Sequence, residues 1–309
     1  MLREALFHLS QQPQLRQLAT GSGMAQKTAR RFVAGEALNE AIDVVRRLNA
    51  AGMTATLDHL GENVRSAEEA AAATEDYLRI LQVIDDSDVD CTISIKLTNL
   101  GLDQGTELAF GHASQVVTKA ADLDNFVRLD MESSDYVQRT LDIFYRLYAQ
   151  HKNVGAVIQA ELRRSADDLE GLVSAGARVR LVKGAYLEPP ALAFEQKSEV
   201  DANFERLSAQ LLCKGNYPAI ATHDPNMIDA ARRYARQHGV DRSRFEFQML
   251  YGIRRDLQAK LVRDGYNVRI YVPFGTHWYP YLMRRLAERP ANIMFLVGSL
   301  GKEAVSRGA

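Results

Sequence analysis

Cysteine is almost missing from this chain. Cys91 and Cys213 stand far apart and form no CxxC pattern, which argues against a disulfide framework or a structural zinc site and makes a reducing cytoplasm the expected setting. None of the seven histidines falls in an HxH or HExxH pattern, and there is no GxSxG elbow or Walker loop. Metal-assisted and acyl-transfer chemistry therefore have no support in the sequence. No uninterrupted apolar run approaches the ~18 residues of a membrane span, and residues 1–10 lack the basic and apolar regions of a secretion signal. A charge excess is missing too: 38 basic residues face 39 acidic ones for a net charge of −1. Scattered through both halves, these charges leave no electrostatic footprint for nucleic acid.

What is present begins with helices. Over residues 1–50, Leu2, Leu6, Leu9, Leu15, Leu18 and later Val33, Leu38, Ile42, Val45 and Leu48 recur at helical spacing, predicting an N-terminal helical arm. Within it Gly21-Ser22-Gly23-Met24-Ala25-Gln26 imitates half of a dinucleotide fingerprint. It follows a helical pattern rather than a strand and has Gln26 where the third glycine belongs, so it reads as a loop.

From Gly52 the rhythm changes. Short β-rich runs at 53–57, 91–95, 126–129, 155–158, 177–182, 219–221, 244–247 and 267–272 alternate with helical patterns at 67–84, 134–151, 166–175, 200–213, 227–238 and 254–265. Eight βα repeats predict a (β/α)8 barrel over residues 51–309, with a doubly wound open sheet as the alternative. Nearly every run ends in a residue capable of chemistry: Asp58, Lys96, Asp130, Gln159, Arg180 with Lys183, Thr222-His223, Gln248 and Tyr271. In a barrel those ends meet at one face, where such folds carry their active sites.

Two stretches carry the sharpest chemistry. Arg178 and Arg180 share a parity within an otherwise aliphatic run, so both are expected on a buried face with anions to hold them. Lys183, Gly184, Ala185 and Tyr186 follow as a small-residue turn closed by a ring, suited to a flat anionic ligand. The segment after Tyr186, through Pro189-Pro190 to about Ala202, reads equally as a lid or a packed excursion. Near the end, Thr276 or His277 and Pro280 open a helix bearing Arg284 and Arg285, with Glu288 nearby. Four aromatic residues within 274–281 desolvate the start of this helix, turning the arginine pair into a fork for a small carboxylate rather than a solvated face.

These motifs, taken in order, resemble the monofunctional bacterial proline dehydrogenases. The likeness spans about Gly52 to Gly298 through Ser94-Ile95-Lys96-Leu97, Arg128-Leu129-Asp130-Met131-Glu132, Ile158-Gln159-Ala160, Arg180 to Tyr186, Ala221-Thr222-His223, Gln248 to Gly252, and Tyr271 through the Met283-Arg284-Arg285-Leu286 helix. The resemblance implies a barrel whose last helix lies over its mouth and an enzyme oxidising L-proline to Δ1-pyrroline-5-carboxylate by hydride transfer from C5 to FAD. It implies Asp130 and Arg180 as catalytic charges. It assigns substrate to Lys96, Tyr186, Leu250, Tyr271, Arg284 and Arg285, and non-covalent FAD to Met131, Gln159, Lys183, Gly184, Ala185, Thr222 and His223. Glu62 would pair with the arginine helix as a gate. A quinone acceptor, a peripheral membrane contact and a downstream pyrroline-5-carboxylate dehydrogenase are implied as partners. Glu161 stands where many members have tyrosine.

On the residues alone, two other functions stay open. One is a phosphate-binding lyase or aldolase with Lys96 or Lys183 as a Schiff-base amine. The other is a catalytically silent binding barrel.

Overall fold

The computed structural model describes residues 29–288. The leucine pattern over 2–18, the glycine loop at 21–26 and the far end of the resemblance near Gly298 lie outside the described residues.

Eight parallel strands close in chain order into one barrel: β1 Thr54–His59, β2 Cys91–Ile95, β3 Val127–Leu129, β4 Val154–Gln159, β5 Val179–Val182, β6 Ala219–Ala221, β7 Glu246–Leu250 and β8 Asn267–Phe274. Closure is direct, with Thr54 to His59 of β1 in register against Arg269 to Phe274 of β8. The open-sheet alternative is thereby ruled out. The helices are α1 Leu38–Ala50, α2 Ala67–Asp86, α3 Thr106–Asp122, α4 Ser134–Gln150, α5 Ser165–Ser174, α6 Lys197–Lys214, α7 Pro225–Gln237, α8 Arg255–Arg263 and α9 Trp278–Glu288.

Strand parity sorts the side chains into two environments. Arg180 of β5 hydrogen-bonds Ser94 of β2, three strands away, which is reached only through the barrel interior. The opposite parity, including Leu57, Ile93, Val127, Val179, Phe247 and Ile270, packs outward in the main apolar core with Val45, Leu81, Phe144 and Leu211 of the surrounding helices. Burying each of these large side chains contributes about 1.5–3 kcal/mol. Gly155 is required by close approach: a Cβ there would lie 2.6 Å from Arg128 Nη1 and 2.6 Å from the Arg178 carbonyl oxygen. Those groups form a hydrogen bond of 2.7 Å.

Two helices depart from a simple (β/α)8 ring. Helix α1, assigned to the N-terminal arm by its periodicity, buries Ala41, Ile42, Val44 and Val45 and packs against both β1 and β8. Helix α9, after β8, instead joins Ala29, Phe32, Val33, Leu60 and Ile253 in a second apolar cluster through Trp278, Tyr279, Tyr281, Leu282 and Met283. The Trp278 indole donates to Glu36 Oε1 at 2.9 Å, tying α9 to the stretch before α1. Pro280 sits in the first turn of α9, where its missing N–H costs no helical hydrogen bond.

Candidate active site

The carboxyl ends of the strands carry the site. Lys96 directly follows β2, and its Nζ donates to Asp58 Oδ1 of β1 at 2.7 Å and lies 3.8 Å from Asp130 Oδ2. Asp130, just past β3, accepts from Arg180 Nη1 at 2.7 Å through Oδ1 and from the Tyr271 hydroxyl at 2.6 Å through Oδ2. Arg180 is fully engaged, since its Nε donates to Gln248 Oε1 at 2.6 Å and its Nη2 to Ser94 Oγ at 3.2 Å. Six strands or their ends thus contribute to one buried network of two cations and two carboxylates, balanced in charge as burial demands. Burial alone would draw the Lys96 ammonium down. The Asp58 and Asp130 carboxylates outweigh it and hold the group well above its ordinary value, so it stays charged. Burial, then Asp130, raises the Tyr271 phenol well above its ordinary value, keeping it a donor.

A second constellation lies toward the helix over the mouth. Arg284 of α9 donates to Glu62, in the loop after β1, at 2.7 and 3.2 Å. Although burial works against it, Arg284 keeps the Glu62 carboxyl below its usual range. That loop is pinned from below: the Asn63 amide donates to Thr98 Oγ1 at 3.2 Å. Thr98 in turn donates from its hydroxyl to Glu132 at 2.5 Å and from its amide at 3.2 Å. Burial pushes the Glu132 carboxyl up to about 7, against the lowering effect of Thr98. Arg285 is half-buried, its guanidinium 5.3 Å from the Tyr281 ring centroid. The Glu288 side chain lies outside the described residues.

The exits of β4, β5 and β6 form a third group. Gln159 is buried and donates to the Glu132 carbonyl oxygen at 2.9 Å, beside buried Met131. Gly184 follows β5 with φ at +115°, and a Cβ there would meet Glu161 Cδ at 2.0 Å, so the turn carrying Lys183, Ala185 and half-buried Tyr186 needs glycine. Lys183 donates to Asp201 at 2.5 Å and Asp224 at 2.8 Å. Thr222 Oγ1 accepts from the Asp224 amide at 3.1 Å. His223 Nε2 accepts from the Leu250 amide at 2.8 Å, and Leu250 itself packs against the apolar cluster beneath α9.

Two sequence expectations resolve differently. Arg178 lies just outside β5 and is exposed, its guanidinium 5.3 and 5.4 Å from the Phe126 and Tyr217 ring centroids. Only Arg180 has its anion, because the strand starts at Val179 and Arg178 falls at the far end of the barrel. The segment after Tyr186 is a packed excursion: Arg163 and Phe194 amides donate to Leu192 and Glu161 carbonyl oxygens at 2.9 and 2.8 Å, and Glu188 accepts from the Ser134 amide at 2.9 Å. Ser94, Glu132, Asp201, Asp224, Glu246 and Arg269 were missed. Parity was the signal for Ser94 and Glu246, each two residues before a polar strand-end residue.

The sequence profile of the family described as "Proline dehydrogenase" matches residues 41–297. The chain belongs to the proline dehydrogenase family. It is 41% identical over 303 residues to "Proline dehydrogenase 1" of Bacillus subtilis subsp. natto, covering 98% of this chain and 100% of that one. "Proline dehydrogenase" of Deinococcus radiodurans is 39% identical over 307 residues, with 98% of each chain covered. Among solved structures, proline utilization A from Bdellovibrio bacteriovorus, inactivated by N-propargylglycine, superposes with a TM-score of 0.81 at 29% identity, covering 89% of this chain and 34% of that one. The barrel with its network at the strand ends is therefore that of a proline dehydrogenase, an oxidoreductase. Among the described residues, no helix is long and apolar enough to cross a membrane.

Proposed function

We propose that this chain oxidises L-proline to Δ1-pyrroline-5-carboxylate with non-covalently bound FAD. The observation that carries the reading is the Lys96, Asp130, Arg180 and Tyr271 network at the mouth of a family barrel, beneath a helix that presents an arginine pair.

The residues fit the cofactor. Three neighbouring strand exits offer an amide at Gln159, an ammonium at Lys183, a hydroxyl at Thr222 and an imidazole at His223, around a turn that Gly184 bends as only glycine does easily. With Met131 and Ala185, these would hold a dinucleotide along the β4, β5 and β6 side. Bound there, FAD would supply the ring that accepts a hydride from the carbon beside the substrate nitrogen.

The chain's own work is positioning and electrostatics. Arg284 and Arg285 receive the substrate carboxylate, Lys96 supports that end, and Tyr186, Leu250 and Tyr271 wall the small ring. Glu62 holds Arg284 from the opposite side and closes the mouth over the substrate, excluding water. Asp130 fixes Arg180, whose cation stabilises negative charge developing on the electron-accepting side. The ring nitrogen reacts as the neutral amine, since its lone pair drives hydride loss from C5.

A quinone as final electron acceptor, contact with a membrane surface and delivery of product to a pyrroline-5-carboxylate dehydrogenase complete the proposal. Two measurements test its core. Acid precipitation should release the flavin from the chain, and o-aminobenzaldehyde should trap a pyrroline when the protein acts on proline. A chain reduced onto substrate by borohydride, with no pyrroline formed, would instead establish the lyase reading.

A further inference from the structure

The barrel interior departs from the usual packing of such folds, in which layers of branched aliphatic side chains fill the centre. Below Arg180 the interior of this barrel is charged. Arg269 of β8 donates from Nε to both carboxylate oxygens of Glu246 at 3.1 Å each and from Nη1 to the Ala55 carbonyl oxygen at 2.7 Å. Glu246, only 3% exposed, accepts from the Gln248 side-chain amide. Gln248, 4% exposed, accepts Arg180 Nε at 2.6 Å. A buried ion pair is a poor means of gaining stability, because apolar residues of similar volume would serve as well or better. Its presence here calls for another reason.

The reason lies in direction. A glutamine amide can turn either its oxygen or its NH2 toward a neighbour, and the two orientations fill the same space. Arg180 offers only donors, so the orientation with NH2 toward it would break the contact. The Glu246 carboxylate, held by the Arg269 donors, offers Gln248 acceptors, which turns the Gln248 NH2 downward and its oxygen up toward Arg180 Nε. The Arg269 fork, donating to both carboxylate oxygens, holds Glu246 in place.

We infer that Arg269, Glu246 and Gln248 are positioning residues that orient Arg180 from beneath. They form a relay of hydrogen bonds running along the inside of the barrel from below the site into it. Arg180 then has each nitrogen assigned: Nε to Gln248, Nη1 to Asp130 and Nη2 to Ser94. The inference rests on the role proposed for Arg180 above, but its geometric part can be read without any turnover.

The test is Glu246→Gln, which keeps shape and removes the obligate acceptor. The Arg180 Nε–H resonance, identified by its loss in Arg180→Lys, is followed by NMR on the purified protein, alongside steady-state kinetics. The relay predicts that Glu246→Gln moves this resonance and speeds its exchange with water, while kcat falls about ten- to a hundredfold and KM for proline stays within about threefold. An unmoved Arg180 resonance overturns the relay whatever the kinetics. A moved resonance with unchanged kcat overturns the positioning role. Absence of proline turnover in the parent protein contradicts the proposed function instead.

The double variant Glu246→Gln/Arg269→Gln removes both charges. If it restores resonance and kcat, Glu246 serves only to balance Arg269, and the inference fails. Should Glu246→Gln not fold, Gln248→Met leaves the ion pair intact and carries the same expectations.

Discussion

The Tyr271 hydroxyl donates to Asp130 Oδ2 at 2.6 Å, joining β8 to the end of β3 across the barrel mouth. Asp130 gives its other oxygen to Arg180, so the tyrosine and the arginine share one carboxylate. Burial and Asp130 keep Tyr271 protonated, and the bond survives well past neutral pH.

Tyr271→Phe leaves Asp130 Oδ2 short of its closest donor in a buried setting. The cost is about 1–3 kcal/mol, roughly five- to a hundredfold in kcat/KM for proline. Stopped-flow reduction by proline, compared between parent and variant, measures it. Equal rates would place the phenol outside the working network.

Arg285→Met should leave fold and flavin content intact and weaken substrate capture by about 2–4 kcal/mol, roughly thirtyfold to a thousandfold in kcat/KM. Lysine should rescue only part of this, because an ammonium cannot reproduce a planar fork. A solvated arginine would cost under about 1 kcal/mol of stability and leave kinetics unchanged.

Gly184→Ala places a methyl 2.0 Å from Glu161 Cδ at a backbone φ of +115°. Both effects oppose folding of the turn, and flavin content per chain should drop. Adding Glu161→Ala makes room but leaves the backbone strain, so recovery should be partial. Full flavin occupancy in Gly184→Ala would remove this turn from the cofactor cradle.

Glu132 gives the protein a pH-dependent stability of definite sign. Its ordinary value is 4.5, and burial raises it to about 7 in the fold. Between these values the native protein holds a proton that the unfolded chain has released. Stability is therefore greatest below about 4.5 on this account, falls as pH rises, and levels off above about 7, a change on the order of 3 kcal/mol. Glu132→Gln should flatten that part of the profile, as urea unfolding at pH 5 and pH 8 would show. An identical slope in both proteins would contradict the assignment.

Much of this was legible in the sequence, for reasons that also explain the misses. The expected strands overlap all eight observed ones because the alternation of short β-rich runs with amphipathic helices survives at any boundary. The run at 244–247 came out as Glu246–Leu250 because Asp241 accepts from the Ser243 amide at 2.7 Å and winds 242–244 into a short turn. The strand-end residues were readable since parity sends Lys96, Arg180, Gln248 and Tyr271 to one face. Their partners were not. Contact between Ser94 and Arg180, 86 positions apart, depends on how the barrel closes, which local patterning does not encode. Arg178 misled for a related reason, because parity assigns a face but not whether the strand has begun.

The most direct test of the account is the visible absorption spectrum of the purified protein before and after anaerobic addition of L-proline. It predicts a yellow protein whose flavin bands bleach with proline, and far more slowly with alanine or glutamate. A colourless protein, or flavin bands untouched by proline, would contradict it.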